Sequence, residues 1–311
     1  MKKDLTSIFD LTQKDIKDIL KLTYELKKEP WKKQELLKNK TVGLVFQKPS
    51  NRTRMSFETA VVHLGGKGIY MDPADMTLGK REPVKDVARV FSGYVAMAVL
   101  RTFSHETIEE FAQYSKIPVI NGLSDKCHPC QALADIFTIE EKLRNLMGKT
   151  LCYVGDGNNV LNSLLLAGAN TGMNIVCACP KGYEPDQDIV KRANVIAQNT
   201  GAIISITNDP KEGVKNADVV YTDVWVSMGQ EAQKSSKVKD FQGFQVNAEL
   251  INVCKKKPLI MHCLPAHRDE EITDEVIESK NSIVFDQAEN RMHVQKAVMV
   301  MLLENCDRSK K

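Results

Sequence analysis

Short apolar runs alternate with segments of helical periodicity along almost the whole chain, a pattern that restricts it to folds built on parallel sheets. Ile16, Ile19, Leu20, Leu22 and Leu26 fall at helical spacing until Pro30 stops the helix, and TVGLVF (41–46) then reads as a buried, β-branched strand. Met55, Phe57, Ala60, Val61 and Leu64 mark a helix from Ser50 to Leu64, ended by Gly65-Gly66. GIYM, a helix over 83–94, MAVLRTF, a helix over 106–115 and PVIN continue the alternation. A longer helix over 130–146 closes at Gly148. The pattern then restarts with TLCYVGD, a helix over 159–171, NIVCACP, a helix over 186–199 and AIISIT. VVYTDVW, PLIMHCLP and SIVFD read as further strands, separated by short helices near Pro210, Asn247 and Asp274, and a last helix covers about 287–304. The fold class expected is α/β: two domains, 1–148 and 149–311, each a mostly parallel sheet with helices on both faces, the C-terminal helix packing back on the first domain.

Composition narrows the function classes. Forty-three Lys and Arg against 40 Asp and Glu give +3, too balanced for a dedicated nucleic-acid binder. No 18 apolar residues run together, and the first 30 carry both signs of charge, which argues against a membrane span or a secretory signal. The expected setting is therefore soluble and cytoplasmic. The eight cysteines read as reduced thiols, mostly small buried hydrophobes.

In parallel α/β sheets ligands bind beyond the carboxyl ends of the strands, so the chemistry is sought there. QKPSNRTRMSFE follows TVGLVF. Ser50 opens a helix whose free N–H groups face an anion, Thr53 adds a hydroxyl, and Arg52 and Arg54 add guanidinium forks. This is a phosphate or carboxylate cradle; a Ser N-cap followed by solvated arginines is the plainer reading. Arg101 ends MAVLRTF at the same edge. In CHPCQALAD, Cys127 and Cys130 have the spacing of a thiol–disulfide exchanger at a helix start, but no tryptophan flanks the first cysteine and no second cluster completes a zinc site. His128 and Gln131 are the alternative functional pair there, suited to a carbonyl and an amide. Gly155-Asp156-Gly157 resembles the start of a dinucleotide fingerprint, but valine stands at 160 and the following strand ends in Cys179-Pro180, which disfavours a nicotinamide cofactor. Asn158 and Asn159 follow as amides for a small polar substrate or as turn residues. Asp223 and the Ser227-Met228-Gly229 loop suit an ammonium group under a lid, and MHCLPAHR puts Cys263 at the equivalent edge. His262 and Cys263 point to opposite sides of a strand, a poor geometry for a catalytic dyad; Pro265 could follow Leu264 in a cis bond.

Taken in order, SNRTR, RTF, HPCQALAD, DGNN, DVWVSMGQE, HCLPAHR and AENRMH resemble the carbamoyltransferases, with DVWVSMGQE and HCLPAHR similar to the ornithine branch; the resemblance runs from about Ser7 to Leu303. It implies that 1–148 is a carbamoyl-phosphate-binding domain and 149–311 an ornithine-binding domain, with the active site in a cleft and at a trimer interface. Carbamoyl phosphate would lie on Ser50, Asn51, Arg52, Thr53 and Arg54, with Thr77 at the position of a cross-subunit contact. Arg101, His128 and Gln131 would hold its carbamoyl end, and Cys263, Leu264 and Arg291 complete the site. L-Ornithine would be held by Asn159, Asp223, Ser227 and Met228, under a loop that closes. Arg101, His128, Asp223 and Cys263 are the expected catalytic residues, with no metal or organic cofactor. The expected partners are the two small substrates and sister subunits, as a trimer or stacked trimers, with neither nucleic acid nor membrane. Two positions depart from the common pattern: Asn51 stands where many relatives have threonine, and Thr77 where many have a glutamine, so that Lys80 or Arg81 are candidates for its role. A related amine such as putrescine is the alternative acceptor, and a thiol oxidoreductase using Cys127 and Cys130 the alternative of a different class. The same site serves arginine synthesis and citrulline breakdown alike.

Overall fold

The computed structural model describes residues 1–72, 78–79, 81–226 and 234–308. The chain divides into two compact units, Met1–Phe137 with Asn290–Lys311, and Thr138–Glu289. Each contains one parallel sheet with helices on both sides.

The first unit carries β1 (Thr41–Phe46), β2 (Lys67–Met71), β3 (Met97–Arg101) and β4 (Val119–Leu123), in the order β2-β1-β3-β4. α1 (Gln13–Lys28) precedes the sheet, and α2 (Asn51–His63), α3 (Val84–Tyr94) and α4 (His105–Tyr114) connect its strands. Val42, Leu44, Val45, Val99 and Leu100 are wholly buried, as expected of central strands covered on both faces. The strand order reverses between β1 and β3, which pair in register so that Phe46 lies beside Arg101. The segments that leave these two strands therefore diverge at one point, where an open α/β sheet forms its binding crevice. α5 (Pro129–Leu143) starts just after β4, and the division between the units falls within it.

The second unit orders β5 (Thr150–Val154), β6 (Asn174–Ala178), β7 (Ile204–Thr207), β8 (Val219–Thr222) and β9 (Leu259–His262) as β7-β6-β5-β8-β9. Here the order reverses between β5 and β8, with Val154 beside Thr222 and Thr222 beside His262. Asp156, Asp223 and Cys263 follow those three strand ends. α6 (Asn159–Thr171) and α7 (Gln187–Ala197) are accompanied by the short helices α8 (Pro210–Val214), α9 (Lys234–Asp240), α10 (Ala248–Asn252) and α11 (Asp274–Ile277). α9 has no counterpart in the sequence reading, because KSSKVKD lacks an apolar stripe.

One expected strand is corrected. SIVFD makes only a single bridge, Ser282 to Ile260, with Ile283 N–H donating to the Ile260 carbonyl; Val284 then begins α12 (Val284–Arg308). A short apolar run serves equally as a strand or as the buried first turn of a helix, and periodicity does not separate them. From Asn290 onward α12 belongs to the first unit. There Lys296, wholly buried, donates to the carbonyls of Leu26 and Pro30 (3.0 Å each), capping the end of α1, and Asn290 accepts from Lys27 (2.8 Å). Among the described residues no helix is long and apolar enough to cross a membrane.

Candidate active site

In the first unit the site is built around Thr53. Ser50 caps α2, its hydroxyl oxygen accepting from the Thr53 amide at 3.3 Å, so the helix begins where the sequence placed it. Thr53 is wholly buried, and its Oγ1 accepts from Arg291 (2.9 Å) and Arg101 (3.4 Å). A hydroxyl oxygen has two acceptor sites and one proton, so two guanidinium donors leave Thr53 to aim its own O–H elsewhere. Arg101 and Arg291 are almost wholly buried, at 5% and 4% exposure, which concentrates positive charge in a low-dielectric setting. Arg54 is committed differently: it donates to Glu58 at 3.0 Å and stacks over the Tyr70 ring at 3.9 Å. Asn51 and Arg52 are exposed on the first turn of α2.

His128 and Gln131 are buried at the start of α5, His128 within the field of these arginines. Burial, and then the charges of Arg291 and Arg101, hold the His128 imidazolium pKa well below its ordinary value, so the ring is neutral at physiological pH. Gln131 donates from Nε2 to Asp135 Oδ1 at 2.8 Å, which fixes the amide and leaves Oε1 buried with no donor among the described residues. An unmet buried acceptor calls for an N–H from a ligand or water.

The neighbouring cysteines do not have the properties of an exchanger. Cys127 and Cys130 are buried, and burial pushes their thiols up to about 11 and about 12, opposite to the depression that thiol exchange needs. Cys130 Sγ faces the Asn121 carbonyl at 3.6 Å and Cys127 Sγ the Ser7 hydroxyl at 3.7 Å. The oxidoreductase reading is not favoured.

In the second unit Asp223 is the centre. Its Oδ1 accepts from the Cys263 thiol (2.9 Å) and the Val224 amide (2.8 Å), and its Oδ2 from Asn158 Nδ2 (2.8 Å). Asn158 also caps α6, its side-chain oxygen accepting from the amides of Val160 and Leu161. The sequence offered both Asn158 and Asn159 for the substrate, and the family resemblance Asn159; Asn159 is the first residue of α6, while Asn158 orients Asp223. Either asparagine of DGNN fits an N-cap, so only the contact distinguishes them. Gly157 is explained without a dinucleotide: its amide donates to the Tyr183 carbonyl, and a Cβ there would lie 2.5 Å from the Glu184 carbonyl.

Two further features escaped the sequence reading. Asp156 pairs with the buried Lys237 at 2.6 Å; burial raises the carboxyl, and the lysine opposes that. Tyr153 is wholly buried, stacks on Tyr221 at 5.6 Å, and its hydroxyl has no hydrogen bond among the described residues. Both His262 ring nitrogens are engaged: its Nε2 donates to Glu271 (2.9 Å), and its Nδ1 accepts the Leu264 amide (2.9 Å). The Leu264–Pro265 bond is cis. Thr77, Lys80, Ser227 and Met228 lie outside the described residues; Arg81 is exposed.

With this geometry in view, residues 3–141 match the family model of the aspartate/ornithine carbamoyltransferase carbamoyl-P binding domain, and residues 147–302 that of the Asp/Orn binding domain. The ornithine carbamoyltransferase of Archaeoglobus fulgidus is 52% identical over 303 residues, 97% of each chain, and that of Thermococcus kodakarensis 49%, covering 97% of this chain and 96% of the other. Among solved structures, ornithine carbamoyltransferase from Pyrococcus furiosus superposes with a TM-score of 0.92 at 49% identity over 95% of both chains. The anabolic enzyme from Campylobacter jejuni gives 0.91 at 41% identity, over 97% of this chain and 99% of that one. Both halves of the sequence thus match the two halves of one enzyme family, and the chain belongs to the aspartate/ornithine carbamoyltransferases.

Proposed function

We infer that the chain transfers the carbamoyl group of carbamoyl phosphate to the δ-amine of L-ornithine, giving L-citrulline and phosphate. The observation that carries this is a set of groups in the first unit: two buried guanidiniums on the Thr53 hydroxyl oxygen, the neutral His128 imidazole beside them, and the unmet Gln131 amide oxygen three residues further on. A carbamoyl group presents the complement, a carbonyl oxygen that takes donors and an NH2 that Gln131 Oε1 can accept. Relatives at about half identity over the full length bear the ornithine carbamoyltransferase name, which favours ornithine over putrescine.

In the reaction the neutral δ-amine attacks the carbamoyl carbon and the carbonyl becomes an oxyanion; the C–O bond to phosphate then breaks, the carbonyl re-forms, and the attacking nitrogen gives its extra proton to the departing phosphate. Arg101, His128 and Thr53 donate to the oxyanion, each preorganised donor lowering the barrier by roughly 2.7–4 kcal/mol. Ser50, Asn51, Arg52 and the N-terminus of α2 hold the phosphate and stabilise its charge as it leaves. An alkyl ammonium has a pKa of about 10.4, so a proton must be shed before attack. Asp223 and Cys263, already sharing a hydrogen bond, are assigned to receive or relay it, with Asn159, Ser227 and Met228 holding the amino acid and Leu264 completing the carbamoyl site. We assign the enzyme to arginine metabolism, in the cytoplasm, as a homotrimer in which Thr77 or a neighbour serves the adjoining subunit.

Purified chain given carbamoyl phosphate with ornithine, putrescine or aspartate in parallel tests the reading. Citrulline should form fastest by orders of magnitude; absence of citrulline from folded protein, or preference for another amine, overturns it. Light scattering tests the trimer.

A further inference from the structure

Beyond the transfer site, and independently of it, the turn after β9 brings together three ligand-bearing side chains. His267 Nδ1 lies 3.7 Å from Glu270 Oε2 and 3.9 Å from Glu271 Oε2, and the three ligand atoms all lie within 4.8 Å of one another. Neither separation is a hydrogen bond. Glu271 is wholly buried; its Oε1 accepts from His262 Nε2 (2.9 Å) and the His267 amide (2.6 Å), while its Oε2, directed at His267, accepts none among the described residues. A buried carboxylate oxygen left in this state is costly unless a cation meets it.

We propose that His267, Glu270 and Glu271 bind a divalent transition-metal cation of the Mn2+ or Zn2+ class. Ligands about 2.1 Å from such an ion stand ~3.4 Å apart in a tetrahedron, so small side-chain rotations close the present spacings onto it. One imidazole and two carboxylates match the dication's charge, and the half-exposed His267 and Glu270 leave room for water to complete the coordination. Asp223, His262 and Cys263 also cluster, but both His262 ring nitrogens are already engaged, and a thiol there would select a softer metal than Mn2+.

Mn2+ is therefore the probe. Chelator-treated, full-length chain is titrated with Mn2+ by electron paramagnetic resonance, alongside His267→Ala, Glu270→Gln and Cys263→Ser, each checked for folding by circular dichroism. The expected result is one saturable Mn2+ per wild-type chain, affinity at least tenfold weaker in both the His267 and Glu270 variants, and no change in Cys263→Ser. Because His267 and Glu270 are half-exposed, their variants should fold, and either alone decides the matter. No saturable Mn2+ in the wild type, unchanged affinity in a folded His267 or Glu270 variant, or loss confined to Cys263→Ser would overturn the site.

Discussion

Arg291 and Thr53 stand 238 positions apart, yet the guanidinium NH2 lies 2.9 Å from the threonine hydroxyl oxygen. The contact orients the O–H of a residue in the first turn of α2 from a helix at the other end of the chain. Thr53→Val keeps the shape and removes the hydroxyl. Turnover should fall roughly 10²–10³-fold, as for the loss of one oxyanion donor, and the lost acceptor for two buried guanidiniums should lower the unfolding free energy by about 1–3 kcal/mol. Unaltered kcat would remove Thr53 from the reaction.

Gln131→Leu tests the unmet amide oxygen. Removing the acceptor should raise KM for carbamoyl phosphate at least tenfold and leave KM for ornithine within a factor of two. Equal effects on both constants would show a structural role only.

Asn158→Ala removes both an N-cap and the partner of Asp223 Oδ2. The cap accounts for about 1 kcal/mol of stability. Its second consequence is specific: KM for ornithine should rise while KM for carbamoyl phosphate stays. A loss of stability with unchanged ornithine kinetics would separate capping from positioning.

The buried pair Lys237–Asp156 should be costly to break. Lys237→Met leaves an uncompensated carboxylate and should destabilise by about 3–5 kcal/mol, whereas adding Asp156→Leu should restore much of that. Denaturant unfolding of the single and double variants decides it; a double variant no better than the single would show that the carboxylate was not the source of the loss.

Stability should decline in mild alkali. Cys127 and Cys130 have ordinary values near 9.0 and folded values of about 11 and about 12, and burial raises Cys152, Cys177 and Cys179 as well. Above pH 9 the unfolded chain loses thiol protons that the native chain retains, so the unfolded state is favoured as pH rises. Each thiol contributes up to ~1.4 kcal/mol per pH unit in that window. Unfolding free energies at pH 8, 9 and 10 should fall with a slope that Cys130→Ala makes shallower; a slope unchanged in the variant would show that this thiol is not its source.

Much of the scaffold was readable before any coordinates. TVGLVF and the helix from Asn159 to Thr171 occupy the positions that their apolar patterns indicated, because that signal is local. SIVFD was misread since its few apolar residues suit a strand or a buried helix start, and only its pairing partners choose. α9 was missed because its sequence is polar and its anchor, Lys237, is explained by an aspartate 81 positions away.

For the site the division is similar. The sequence alone determined the type of fold, and it named candidate residues that follow strand ends, where parallel sheets bind ligands. Tertiary structure decided how each is used: Arg291 on Thr53, Arg54 on Glu58, Asn158 on Asp223, and Cys127 and Cys130 as buried, unreactive thiols. The reason is physical. Periodicity and capping act over a few residues, whereas hydrogen-bond partners and desolvation depend on which distant segments the packed chain places together.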